Sequence, residues 1–190
     1  GYVAAMGSEN SEVTGGIDAF ALGIYSVNPD AEVYVKVTNS WYDPKAEEEA
    51  ARKLLDMNCD VIAQHCDTVY PQTLAQQKGV YSIGYNSDMS KEAPEACLCS
   101  VIWNWSAYYT SAVQSVIDGT WDGSNYYGGM NENLVSITPI ADFAAAATKE
   151  KVNMAKQQIL SGKNGVFDGV IETNTGAEVG TAGKTLEDSV

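Results

Sequence analysis

A chain of 190 residues with 25 acidic against 11 basic side chains carries a formal net charge of −14 at neutral pH, and 45% of its residues are hydrophobic. That is a globular composition, long enough for one good core or for one domain and parts of a second, and its charge repels a phosphate backbone, so nucleic acid is excluded as a partner. The most apolar window, residues 137–148, is interrupted by Asp142 and is shorter than the roughly 20 apolar residues a spanning helix needs.

The sequence opens on "GYVAAM" without an initiator Met, a basic stretch or an apolar signal core, so the expectation is a portion of a longer protein whose targeting signal lies outside it. Residues 1–6 read as a strand, and 10–25 as a helix with Ile17, Phe20, Ala21 and Ile24 on one stripe. The next strand is placed at 32–38. Asp43 then caps a helix with Pro44 at its first position and Ala46, Ala50 and Leu54 along one face. "CDVIAQHC" at 59–66 is a short apolar strand, as a parallel sheet covered on both faces requires. Pro71 opens a third helix and Gly79 closes it. Strands at 80–85 and, after a polar loop with Pro94, at 97–103 complete the run; regular alternation puts Cys97 and Cys99 on one face of the latter.

Alternating strands and helices with short connections predict an α/β fold, a Rossmann-like doubly wound parallel sheet over residues 1–105. From Trp105 the pattern changes: a helix over 106–121, a turn-rich stretch to 133, a strand at 134–140 and a helix from about 148 to 160. Neither of the last two has a sheet of its own to join. The expected division is therefore one lobe at 1–105, a crossover helix and turn belonging to a second lobe at 106–133, a returning strand and helix at 134–171, and a Gly- and Thr-rich hairpin or tail at 172–190.

In an open parallel sheet, ligands bind at the carboxyl ends of the strands. The residues just past each strand are Met6 and Gly7; Asn39, Ser40 and Trp41; His65, Cys66 and Asp67; Asn86 to Met89; and Trp103, Asn104 and Trp105. Three of the four Trp and the only His fall on this edge. Aromatic faces stack on heterocycles while Asn and Asp select donors and acceptors on the ring's rim, so the pattern suits a flat molecule with polar edges. Each residue also has a structural reading: Trp41 as a lid on its own loop, Trp103 facing the core, Trp105 as a staple at the following helix, His65 as a satisfied sheet-edge histidine, and Asp88 as the cap of a turn.

The chain has no nucleophile elbow, no dinucleotide or P-loop phosphate motif and no H-E-x-x-H pair. Cys66 follows His65 directly, and neighbours on a strand point to opposite faces, which argues against a Cys–His dyad. Cys59, Cys66, Cys97 and Cys99 lack zinc-site spacing and read as small buried hydrophobes. The expectation is binding without catalysis, metal or cofactor.

Taken in order, "GYVAAM", "GGIDAFALGIYSVNPDAEV", "TNSWYDPKAEEEAARKL", "DVIAQHCD", "GVYSIGYNSDMS", "VIWNW" and "VIDGTW" resemble the basic membrane protein family of substrate-binding lipoproteins that serve ABC importers. The resemblance implies one lobe of a type I periplasmic-binding fold plus crossover elements of the second, closing on ligand, with this chain as the C-terminal half. It also implies that Trp41 stands where nucleoside binders place a stacking Phe, and that Met6 lies near an apolar ligand contact. Those binders tend to carry G-V-D-S-D-Q where this chain has Gly84 to Met89, so Asn86 replaces a ribose-binding Asp, and Trp103 stands where they carry a Lys. Losing a carboxylate and an ammonium weakens recognition of ribose hydroxyls.

The resulting expectation is an extracytoplasmic, lipid-anchored binding protein for a purine base or nucleoside, delivering it to an ABC permease, with the anchor outside this chain. Its ligand-binding candidates are Trp41, Asn39, Asn86, Asp88, Trp103, Met6 and His65. A ligand-sensing regulatory domain on the same fold is the alternative, and a nucleoside-processing enzyme using His65 and Asp67 ranks last. Bare apolar surface on the 106–118 helix predicts self-association or domain exchange.

Overall fold

The computed structural model describes residues 1–163 and 165–186. The chain divides into two compact units, one of residues 1–14 and 33–144, the other of 15–32 and 145–190. The first unit holds β1 (Tyr2–Ala4), β2 (Val35–Val37), α2 (Pro44–Asp56), β3 (Val61–His65), α3 (Tyr70–Lys78), β4 (Tyr81–Asn86), β5 (Cys97–Trp103), α4 (Trp105–Ile117) and β6 (Val135–Ile137). Helix α1 (Ser11–Tyr25) starts in the first unit and continues into the second, which also holds α5 (Ala146–Leu160) and the antiparallel hairpin of β7 (Asp168–Glu172) and β8 (Glu178–Thr185). The hairpin begins before the stretch 172–190 expected to be a hairpin or tail, which takes in only Glu172 of β7 and the whole of β8; residues 187–190 of that stretch lie outside the described residues.

The sheet of the first unit has six strands in the order β2-β1-β3-β4-β5-β6. The first five are mutually parallel, as the alternating pattern predicts. β6 departs from expectation: it joins this sheet antiparallel to β5, pairing Val101 with Ile137 and Trp103 with Val135. Its end is pinned where the Ser100 amide donates to Thr138 Oγ1 at 2.8 Å, and the buried Leu134 anchors its start.

Helices α2 and α3 pack together and cover one face of the sheet. The Asp43 carboxylate accepts from the amides of Lys45 and Ala46, with Pro44 at the first position of α2, so the backbone donors of that helix start are satisfied. α3 ends on Gly79 in the left-handed conformation, φ 77°, with its amide returned to Ala75 and Gln76. The core beneath these helices includes Val3, Ala51, Leu54, Ile62 and Leu74.

A bulge corrects one expectation. Adjacent residues Ser82 and Ile83 of β4 pair with Cys97 and Cys99 of β5, leaving one residue extra on β5. Neighbours on a strand point oppositely, so Cys97 and Cys99 take opposite faces rather than sharing one. Cys97 is buried with Met89, Ala93 and Ala96, while Cys99 is half-buried.

Candidate functional site

Strands β1 and β3 are neighbours, but their connections leave in opposite directions, one toward β2 and the other toward β4. This is a topological switch point, where an open α/β sheet forms a crevice past its carboxyl ends. Ladder pairing sets Tyr2 opposite Ala63 and Ala4 opposite His65, Ile83 opposite Ala63, and Tyr85 opposite Val101. Side chains two apart on a strand share a face. Tyr2, His65, Tyr85 and Trp103 therefore all project from one side of the sheet, the side opposite α2 and α3.

The His65 ring is the hub of this group. Its centroid lies 5.8 Å from Trp41 in an edge contact, 6.4 Å from Tyr2 and 4.3 Å from Tyr85. Trp103 Nε1 donates to the Tyr85 hydroxyl at 3.4 Å. The Trp103 indole then stacks on Trp105 at 5.5 Å, and Trp105 on Tyr109 at 5.9 Å. One aromatic row thus runs from Trp41 to Tyr109, joining the two indoles expected to wall a ligand. Trp105 is part of that row and 45% exposed.

His65 is buried at 6% exposure, and its Nδ1 lies 3.1 Å from the Tyr2 hydroxyl. Its Nε2 has no hydrogen-bond partner among the described residues, with Glu12 Oε1 standing 3.8 Å away. Burial pushes the imidazole pKa down, against the opposing pull of the Glu12 and Asp67 carboxylates. Burial likewise pushes the Tyr2 and Tyr85 hydroxyls up, so both keep their protons at neutral pH. On the far side of the strand the Cys66 thiol is buried near Thr38 Oγ1 at 3.7 Å, and burial pushes its pKa up to about 12. A thiol in that state is no nucleophile.

The loops of the rim are tied to one another. The Asp67 amide donates to the Trp41 carbonyl at 2.9 Å, and Asn86 Nδ2 donates to Asp67 Oδ1 at 3.2 Å. Beneath them the fully buried Glu47 accepts from the Asp43 amide at 3.1 Å, the Thr68 amide at 3.1 Å and the Thr68 hydroxyl at 2.6 Å. Asn39 and Asn86 hold left-handed φ of 58° and 66°, a conformation that asparagine tolerates and branched residues do not.

The remaining candidates separate from the row. Asp88 is exposed and accepts from the Ser90 amide at 3.0 Å; the Ser90 side chain first and that amide second hold its pKa down, so its carboxylate closes a turn. Met6 is half-buried and Asn39 exposed at the ends of β1 and β2. Glu12, Tyr2 and Tyr85 were not among the sequence candidates. Tyr2 and Tyr85 lie inside strands, and only the ladder register brings them to the rim; Glu12 stands in the first turn of α1, where an acidic residue is ordinary and carries no signal of a site.

A cavity of about 260 Å³ lies elsewhere, between α4 and the turn after it, walled by Tyr108, Ser115, Trp121 and Tyr126. Helix α4 buries none of its residues. Among the described residues no cluster of His, Cys, Asp and Glu is arranged to hold a metal ion, and no helix is long and apolar enough to cross a membrane.

Residues 1–165 match the model of a protein family described as PnrA-like ABC transporter substrate-binding proteins. A purine-binding protein of Brucella abortus (strain 2308) is 38% identical over 177 residues, which is 93% of this chain and 50% of that protein. A putative ABC transporter glucose-binding protein of Haloferax volcanii is 36% identical over 169 residues, 89% of this chain and 43% of that protein. Among solved structures, a transcriptional activator from Bacillus halodurans superposes with a TM-score of 0.74 at 20% identity, covering 86% of this chain and 56% of that one; the likeness is one of fold. The chain spans about half the length of the relatives it matches.

Proposed function

The chain belongs to the PnrA-like family of ABC transporter substrate-binding proteins, and from that premise we propose that it is one lobe of an extracytoplasmic receptor that captures a purine-type base between two lobes and hands it to an ABC permease. Catalysis plays no part in this role. The helix α4 and the turn-rich 122–133 would contribute to the second lobe.

The observation that carries the proposal is the aromatic row past the switch point, with the His65 ring in contact with both Trp41 and Tyr85 and Trp103 hydrogen-bonded to Tyr85. Such a row favours a flat ring over a saturated sugar, since stacking rewards a π-face. The Brucella relative's name gives the same ligand class, and the Haloferax relative's name gives glucose, so both chemistries enter the test. A free base is favoured over a nucleoside because Asn86 presents an amide, itself engaged with Asp67, and Trp103 an indole, where a ribose would need a carboxylate and an ammonium.

Calorimetry on the protein that carries this chain, with adenine, hypoxanthine, adenosine, inosine and glucose, tests the proposal. Micromolar binding of a free base is expected, at roughly −8 kcal/mol. A nucleoside binding about tenfold more tightly than any base, or glucose binding in place of both, overturns it.

A further inference from the structure

The unpartnered Nε2 of His65 is the one feature of the row that neither packing nor stacking explains. A buried polar atom without a partner is costly, and this one lies behind the rim past β1 and β3, where α1 delivers the Glu12 carboxylate to within 3.8 Å. Glu12 keeps 55% of its side chain exposed, so it remains open to a ligand from the crevice.

The tautomer of the imidazole follows from these neighbours. A lone pair on Nε2 facing a carboxylate oxygen is repelled, whereas a proton there is attracted, so hydrogen sits on Nε2 and the Tyr2 hydroxyl donates to Nδ1. Burial disfavours a second proton on the ring. The crevice is therefore offered one acceptor, the Glu12 carboxylate, with the buried imidazole N–H behind it.

We infer that Glu12 reads one edge of the bound ring, its exposed carboxylate accepting from an exocyclic amino group while the buried His65 Nε2–H faces that carboxylate from behind and orients it. The inference rests on the ligand being a purine-type base, as proposed above. An exocyclic amino donor on the ring's edge is what adenine offers and what unsubstituted purine lacks. Both present the same π-face to Trp41, so stacking does not distinguish them, and the pair does.

The test is a thermodynamic cycle across protein and ligand. Adenine and unsubstituted purine are titrated by calorimetry into the wild-type protein, Glu12→Ala and Glu12→Gln. The wild type is expected to prefer adenine by about tenfold or more, the worth of one good paired edge. Glu12→Ala should bring the two ligands within about threefold of each other while leaving purine affinity in place. Glu12→Gln, which keeps an acceptor oxygen, should retain most of the preference. Nitrogen NMR of His65 should show the proton on Nε2 in the free protein and a shifted Nε2–H signal with adenine. A preference that survives in Glu12→Ala, or a proton found on Nδ1, overturns the pair while leaving the base-binding proposal standing. A wild type that binds neither adenine nor purine overturns the proposal on ligand class, and the pair falls with it.

Discussion

The backbone amide of Asp67 donates to the carbonyl of Trp41 at 2.9 Å, so the loop after β2 is held to the loop after β3 by main chain and not by the indole. Truncating that indole should therefore remove a ligand wall without releasing its loop. Trp41→Ala is expected to weaken adenine binding by about 1–3 kcal/mol, roughly five- to 150-fold, with a thermal midpoint close to wild type because the ring is only half-buried. Calorimetry paired with a circular-dichroism melt checks both halves; a collapse of the midpoint would make Trp41 a lid for its own loop.

Glu47 supports the same rim from below. Desolvation pushes its carboxyl pKa up, outweighing the hydrogen bonds from Thr68 and Asp43 that pull it down. A raised folded-state pKa means that, between the unfolded value and the folded one, the folded chain holds more protons than the unfolded chain. Stability from this group is then gained as pH falls through the folded pKa and lost as pH rises. The wild type should gain more in thermal midpoint than Glu47→Gln when pH is lowered from neutral to about 5, since the amide does not titrate. Glu47→Ala strands the Thr68 and Asp43 amides and should cost about 1–3 kcal/mol in urea denaturation.

Gly84 and Ser100 face each other across β4 and β5. A Cβ at Gly84 would collide with Ser100 Oγ and stand 3.1 Å from Met89 Cβ, and that same Ser100 hydroxyl accepts from the Met89 amide at 3.1 Å. Gly84→Ala is expected to destabilise by about 1–3 kcal/mol, the usual cost of overpacking. Ser100→Ala in the same chain should recover part of that loss. Additive losses in chemical denaturation would show that the two positions do not couple.

Helix α4 leaves Tyr109, Val113, Val116 and Ile117 58–72% exposed. A contiguous apolar face of this kind drives association. Light scattering on the 190-residue chain should show a mass that rises with concentration, and Ile117→Glu should reduce it while the far-ultraviolet spectrum stays unchanged. A concentration-independent monomer in the unsubstituted chain would leave the face without this consequence.

The order of strands and helices in the first hundred residues was legible because its signals are local: Asp43-Pro44 at a helix start, Gly79 at a helix end, short apolar runs between them. Trp41 and Trp103 could be placed on a rim for the same reason. What joins them was not legible. Tyr85 lies within β4 and Tyr2 within β1, and only inter-strand register, a long-range property, sets them beside His65. Glu12 belongs to the crevice because α1 begins next to β3 in space, which no periodicity encodes. The strand at β6 was expected, but its antiparallel place beside β5 was not, because three residues carry too little pattern to name a partner. Alternation failed outright on β5, where a bulge breaks the count.

That bulge reaches further than the two thiols beside it. Cys97 and Trp103 are six positions apart, an even number, and an unbroken ribbon would aim both the same way. The surplus residue reverses the parity midway, so a single strand can root its beginning among Met89, Ala93 and Ala96 and turn its final indole to the opposite face. A version one residue shorter, lacking Leu98, would preserve both orientations without any irregularity, whereas inserting or deleting a residue between Ser100 and Trp103 would turn the indole inward and remove the far end of the aromatic row.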